Sequence, residues 1–337
     1  MKRKQFFLLC MILLASIAVK AQDLAYTTNS DGTLTITGFA SGFTPPADYT
    51  LVIPDEIDGK AVTAIKASAF KGKTNFTSLT IGSNVKTIGD QAFMNCTKLT
   101  GSVVIPNSVT SLGTSIFEGC SNLTAASFED GYTLDYIPKW LVWGTNITTF
   151  VIPPSVKYIH QGAFKNCKNM TSIEIPATVT TINKEAFMNC TSLTEITIPS
   201  SIISMEESVF NGSGIVTANI ACETLGQSAF NGCSKLTTVN LLNGVKTIKS
   251  SAFSGCSKLT TVSIPASVTT MESSAFYGCS LLSTVSFAEG IQLETIHESA
   301  FSNSGLTSIT IPASVKTIGN NAFQGCNKLT EVRRCCS

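Results

Sequence analysis

Residues 259–282 read LTTVSIPASVTTMESSAFYGCSLL, and the physics of this stretch decides the fold. Its opening run through Thr261, Val262, Ser263 and Ile264 is β-branched and alternating, with Val262 and Ile264 on one face of a short strand. Pro265 ends the strand because proline has no N–H to give to a sheet ladder. Val268 and Met271 supply further inward apolar positions. Ser273-Ser274-Ala275-Phe276 reads as a single helical or 3₁₀ turn stopped by Gly278, with Phe276 filling the wide end of the unit.

The same unit recurs along most of the chain. A phenylalanine followed three residues later by a cysteine stands at Phe93/Cys96, Phe117/Cys120, Phe164/Cys167, Phe187/Cys190, Phe230/Cys233, Phe253/Cys256, Phe276/Cys279 and Phe323/Cys326. A period of about 23 residues means a solenoid, whose units cannot bury their apolar face alone and do so by stacking. Strands are expected to begin near Phe76, Leu99, Leu123, Ile147, Met170, Leu193, Ile215, Leu236, Leu259, Leu282, Leu306 and Leu329. Laid side by side at roughly 4.8 Å per coil, they form one parallel sheet with an arc on the order of 50 Å. Length alone would suggest about two globular domains, but a stack of this kind is one elongated body.

The pattern IPxSVTxIxxxAFxxCxxLTxVxIP resembles the BspA-like leucine-rich repeat family, the treponemal type, from about Leu51 to Val332. The columns recur in register: Ile175-Pro176, Val179, Ile182, Ala186-Phe187 and Cys190 in one coil, and Ile311-Pro312, Val315, Ile318, Ala322-Phe323 and Cys326 in another. The resemblance implies an α/β solenoid, a leucine-rich-repeat right-handed superhelix of about 12 coils with a parallel β-sheet on one face. It also implies a secreted or surface-attached protein that binds host matrix or cell-surface ligands. The family has no universal binding motif to carry across.

Three segments are expected. Residues 1–21 carry a basic start (Lys2, Arg3, Lys4), an apolar run and small residues around Ala21, the pattern of a secretory signal peptide too short to span a bilayer. Residues 22–50 read as an N-terminal cap with a β-hairpin, because Asn29-Ser30-Asp31-Gly32 separates two strand-like runs. Residues 51–337 form the solenoid, closed by a last strand whose Glu331, Arg333 and Arg334 blunt an exposed edge. No sorting segment is visible after Ser337, which points to release or to attachment through a partner.

Removing Lys2, Arg3, Lys4 and Lys20 with the signal lowers the formal net charge of +1 by four, to −3. Only 13% of residues are charged and no basic stripe exists, so nucleic acid is not an expected partner. No transmembrane segment follows the signal.

Eight of the twelve cysteines occupy one repeat column, which tolerates Lys73, Ser213 and Ser304. A disulfide framework would resist such replacement, and side chains stacked in parallel suit disulfide geometry poorly. The column therefore reads as small, reduced packing thiols without a metal, while Cys335-Cys336 reads as exposed and oxidisable. His160 and His297 hold equivalent turn positions, and His297-Glu298 lacks the second histidine of a zinc-protease helix. With no nucleophile elbow and no phosphate-binding glycine loop, neither enzymatic activity nor a cofactor is expected.

Binding residues are sought on two surfaces. Outward strand positions such as Thr238/Asn240, Thr261/Ser263, Thr284/Ser286 and Ser308/Thr310 form a wall of hydroxyls and amides, broken by Glu174 and Glu195 as an acidic spot. Residues 123–146 depart most from the repeat and hold Trp140, Trp143, Tyr132 and Tyr136, with Glu129, Asp130 and Asp135. Part of that departure recurs, since residues 127–134 parallel 286–293. Trp140 and Leu141 are expected where Ala-Phe packs, leaving one tryptophan in the core and one exposed as a binding anchor. The expected partner is an extracellular protein or glycan ligand, with the protein a monomer or weak oligomer. The alternative is a structural surface protein that self-associates.

Overall fold

The computed structural model describes residues 23–335. The signal-like residues 1–21 and Cys336 lie outside the described residues. The chain winds as a parallel β-solenoid of about a dozen coils, and each coil has three sides.

The first side carries the expected strands, from Ser78–Ile81 and Gly101–Ile105 through Thr261–Ile264 and Thr284–Phe287 to Glu331–Arg334. Thr50–Ile53 adds one strand that the repeat pattern did not mark, in parallel register with Ser78–Ile81. Along these strands burial alternates, as in Thr261–Ile264, where Val262 and Ile264 face inward and Thr261 and Ser263 face solvent. The second side is a further parallel ladder of two-residue strands such as Thr181–Ile182 and Thr270–Met271. The sequence showed Met271 as inward apolar but gave no sign that its segment pairs with its neighbours, because two residues are too few for an alternating pattern.

The third side corrects the helical expectation. The described residues contain no α-helix, and the run from Ser273 to Gly278 is a chain of turns. Ser274 and Gly278 take left-handed backbone conformations, with φ of 56° and 68°. Their N–H groups, and that of Phe276, donate to Glu298, Ser302 and Ala300 carbonyls of the following coil at 2.8–2.9 Å. A helix would return those protons to its own chain four residues back. The protein is thus a β-solenoid with three inter-coil hydrogen-bond ladders, not an α/β solenoid.

Coil length is uneven, and the second ladder records it. It breaks between Leu112 and Ile137, between Met205 and Leu225, and between Met271 and Ile296. These intervals are 25, 20 and 25 residues, against 23 from Ile159 to Ile182. The third side runs through all three breaks, with Phe117 N to Leu141 O, Phe210 N to Ala229 O and Phe276 N to Ala300 O at 2.8–2.9 Å.

Two columns fill the interior. Phenylalanines stack face to face from Phe164 to Phe323, with ring centroids 5.1–5.7 Å apart. Beside them every described cysteine is a free thiol. The column thiols are more than filler. Cys190 Sγ donates to Phe164 O at 3.2 Å, Cys279 to Phe253 O at 3.2 Å and Cys326 to Phe301 O at 3.0 Å, each reaching the coil before. Burial pushes the thiols of Cys167 and Cys279 up to about 12 and that of Cys233 to about 11, so they stay protonated as the bond requires.

At the start, Leu24–Thr28 and Leu34–Phe39 form an antiparallel hairpin through Asp31-Gly32, and the second strand pairs in parallel with Lys60–Ile65. Phe39 packs edge-on against Phe70 and Phe76, and Phe43 and Tyr49 join the same cluster. The first coil's phenylalanines therefore have aromatic partners on their outer side.

Candidate binding surface

The hydrogen-bond register of residues 123–146 shifts the expected packing by one position. Cys167 Sγ donates to Val142 O at 3.1 Å, as Cys190 does to Phe164 O. Val142 N donates to Ala163 O as Phe164 N does to Ala186 O. Leu141 and Val142 therefore occupy the Ala-Phe positions, and both are buried. Trp140 sits one residue earlier, at the left-handed position with φ 54°, where Glu185 and Ser274 stand in other coils. Neither tryptophan is core: both are half-exposed on the third side. Thr145 takes the cysteine position, buried, with its Oγ1 donating to Val142 O at 2.8 Å.

Val142 is smaller than phenylalanine, and the space is filled from the neighbouring strand. Phe150 meets Phe164 edge-on at 4.9 Å and Phe128 at 5.8 Å. The Phe column is interrupted, but core volume is recovered by local repacking.

The six expected site residues separate into four places. Tyr132 is inside, 5% exposed, with its ring 4.0 Å from that of Phe128 and its hydroxyl without a partner. Burial raises its phenol well above the ordinary value. It packs the insertion and offers no surface. Glu174 and Glu195 lie on the first side, exposed, along a groove of about 470 Å³ with Ser172 and Thr197. In the repeat Glu174 corresponds to Thr197, as Ile173 does to Ile196, so Glu174 and Glu195 hold different positions along their strands. Asn219 Nδ2 donates to Glu195 Oε1 at 3.5 Å and to Thr197 Oγ1 at 3.4 Å.

On the second side Tyr136 meets Tyr158, which the sequence reading passed over, and His160, which it took for a turn residue, while Trp140 and Trp143 stand side by side on the third. Tyr136 and Tyr158 are direct partners on the second ladder, at a position that is Ala64 in the first coil and Thr or Ser in the rest, for example Thr181, Ser204 and Thr270. Tyr158 is 39% exposed. The His160 ring lies 5.5 Å from Tyr136 and 6.3 Å from Tyr158. Tyr136 also has a structural task. Pro138 cannot donate to Leu112 O, as His160 N does to Ile137 O, and the Tyr136 hydroxyl donates there instead at 3.3 Å.

Two lysines close to the aromatics are paired with carboxylates. Lys165 Nζ stands 5.5 Å over the Trp143 ring and 2.8 Å from Glu185 Oε2. Lys184 pairs with Glu207. Asn183 links His160 Nδ1, at 3.0 Å, to Glu206 Oε1, at 2.7 Å. Because Asn183 gives its amide N–H to a carboxylate, its oxygen faces His160, which places the imidazole proton on Nδ1. Among the described residues no three His, Cys, Asp or Glu side chains gather as a metal site. No helix among them is long and apolar enough to cross a membrane.

Fold and surface together define a leucine-rich-repeat solenoid. The chain matches the BspA type leucine rich repeat region, in six copies, over residues 54–171, 157–222 and 214–330. It belongs to this family of bacterial surface proteins. A leucine-rich repeat protein from Bacteroides ovatus is similar at 23% identity, with 92% of each chain covered and a TM-score of 0.56. The pneumococcal vaccine antigen PcpA is similar at 18% identity over 94% of this chain and 81% of its own, with a TM-score of 0.54. At these identities the likeness is one of fold. Among curated proteins none is similar enough in sequence to match.

Proposed function

We propose that the protein is an extracellular, non-catalytic binding module that adheres to a protein or glycan ligand through the aromatic surface of Tyr136, Tyr158, Trp140 and Trp143. One observation carries this reading. Residues 282–305 repeat the architecture of residues 123–146, including the long coil, the glycine turn (Gly131, Gly290) and a hydroxyl at the cysteine position (Thr145, Ser304). Yet that coil has Thr295, Ser299, Ser302 and Thr317 where the first coil and its neighbour have Tyr136, Trp140, Trp143 and Tyr158. The backbone variant does not need the aromatics, and of the four only Tyr136 has a structural task of its own. Half-exposed Trp and Tyr are the side chains that anchor binding interfaces.

On this reading residues 1–21 direct export and are removed, residues 22–50 close the first coil, and residues 51–337 present the surface. Family membership supports an extracellular location. The test is a screen of extracellular matrix proteins and glycans, repeated with Trp143→Ala. A ligand should emerge whose affinity falls at least tenfold in the variant; binding that the substitution leaves unchanged removes this surface from the function.

A further inference from the structure

Gly162 follows Trp140 by one coil at the left-handed position, with φ 59°, where other coils have Ser, Glu, Gln or Asn. A Cβ there would lie 2.5 Å from Trp140 Cδ1 and 2.7 Å from its Nε1. The missing side chain is therefore the notch in which the indole rests. Trp143 is held differently, under Lys165, which Glu185 holds in turn. The two rings sit 6.4 Å apart at 41°. Both are fixed before any ligand arrives, which removes much of the ordering cost of binding.

We propose that this surface takes an uncharged glycan, with Gly162, Lys165 and Glu185 as positioning residues for the two indoles. The inference rests on the binding role proposed above and narrows its ligand. Three features favour a neutral sugar chain over a charged polymer or a protein. Lys165 and Lys184 are committed to Glu185 and Glu207, and the exposed Lys139 and Lys157 are matched in number by the exposed Asp135 and Glu206, so no net charge selects an anionic ligand. The indole N–H groups and the Tyr158 hydroxyl make no hydrogen bond to a described residue, so each polar group remains available beside an aromatic face. With its proton on Nδ1, His160 keeps Nε2 as an acceptor. Rigid aromatic faces bordered by single donors and an acceptor match a sugar ring, whose C–H face stacks while its hydroxyls give and take hydrogen bonds.

The test exploits the fact that the chain has only two tryptophans, both in this surface. The full chain is titrated with dextran, mannan and laminarin, and separately with heparin and fibronectin, following tryptophan emission and heat of binding. The expected result is a saturable blue shift with a neutral polysaccharide. Its affinity should fall at least tenfold in Gly162→Asn and in Trp140→Ala, and about threefold in Glu185→Gln. Ser299→Ala in the second long coil should not change it. Asparagine tolerates the left-handed conformation, so Gly162→Asn isolates the notch from backbone strain, and circular dichroism confirms that it folds. No response to any neutral polysaccharide overturns the proposal, as does binding indifferent to Gly162→Asn. Fibronectin binding lost in Trp143→Ala, with no polysaccharide bound, leaves the binding role standing and overturns the glycan assignment alone.

Discussion

Residues 123–146 and 282–305 are two versions of one long coil, and they diverge in what they carry. Both project a loop through Phe128 or Phe287 and a left-handed glycine, Gly131 or Gly290. In both, a serine of the next coil, Ser155 or Ser314, donates at 2.9 Å to the loop's last leucine carbonyl, Leu134 or Leu293. Both interrupt the second ladder. The second keeps Phe301 in the stack, between Phe276 at 5.6 Å and Phe323 at 5.7 Å, and presents hydroxyls outside. The first gives up the stacked ring for Val142 and places four aromatics on its surface and that of the next coil. An insertion and a binding surface are therefore separable features of the chain, and only one of the two long coils has acquired both.

The largest effect concerns what the two coils lack, since each replaces an ionisable thiol with a hydroxyl. Burial holds thiols of that column above their ordinary value near 9, at about 12 for Cys167 and Cys279 and about 11 for Cys233. The folded state keeps these protons more firmly than the unfolded chain. Stability is therefore complete below pH about 9 and should fall between pH about 9 and 12, each such thiol removing up to about 1.4 kcal/mol per pH unit. Melting temperatures across that range test this, and a flat profile would mean that the thiols are not buried donors. Next comes Phe301→Ala, which opens a cavity in a continuous stack and should cost about 3–5 kcal/mol. Val142→Ala in the counterpart position should cost about 2 kcal/mol. Equal losses in denaturant unfolding would show that the stack is not interrupted at Val142.

A graft sharpens the comparison at a smaller scale. Ser299→Trp meets Asn321, with φ 56°, where Trp140 meets Gly162. Its added emission should be solvent-like alone and shift to the blue when combined with Asn321→Gly; identical spectra would deny the notch its role. The smallest change is expected from Thr145→Cys. The new Sγ can donate to Phe117 O as its neighbours do, so the melting temperature should move by no more than about 1 kcal/mol implies.

The columns of this molecule were legible because each repeats in register. Phe187, Cys190, Ile182 and Val179 recur often enough to declare themselves buried, and they are. What escaped had no such signature. Serine at position 274 does not advertise a positive φ, so a turn running sideways to the next coil read as a helical turn. Leu141-Val142 does not spell Ala-Phe, and without the hydrogen bonds from Cys167 and to Ala163 the register slipped by one, placing Trp140 in the core. Tyr132 looked like a surface aromatic, although its counterpart Ile291, also buried, marks the position as core. Tyr158 was overlooked because its coil is regular. It is visible as an anomaly only when the two-residue strands are aligned and a column of Thr and Ser is found to contain two adjacent tyrosines.

The unbroken third ladder also bears on how the protein would carry load. Pulled from its ends, a solenoid transmits tension from coil to coil through its hydrogen-bond ladders, acting in parallel at each step. The steps from Leu112 to Ile137, Met205 to Leu225 and Met271 to Ile296 lack the second of them. At each of these steps the first side stays paired, Gly101–Ile105 with Leu123–Phe128, Glu195–Ile198 with Thr217–Ile220 and Thr261–Ile264 with Thr284–Phe287, so the load there is shared by the first and third ladders. The aromatic surface lies just beyond the first of these steps, where two ladders rather than three hold the coils together.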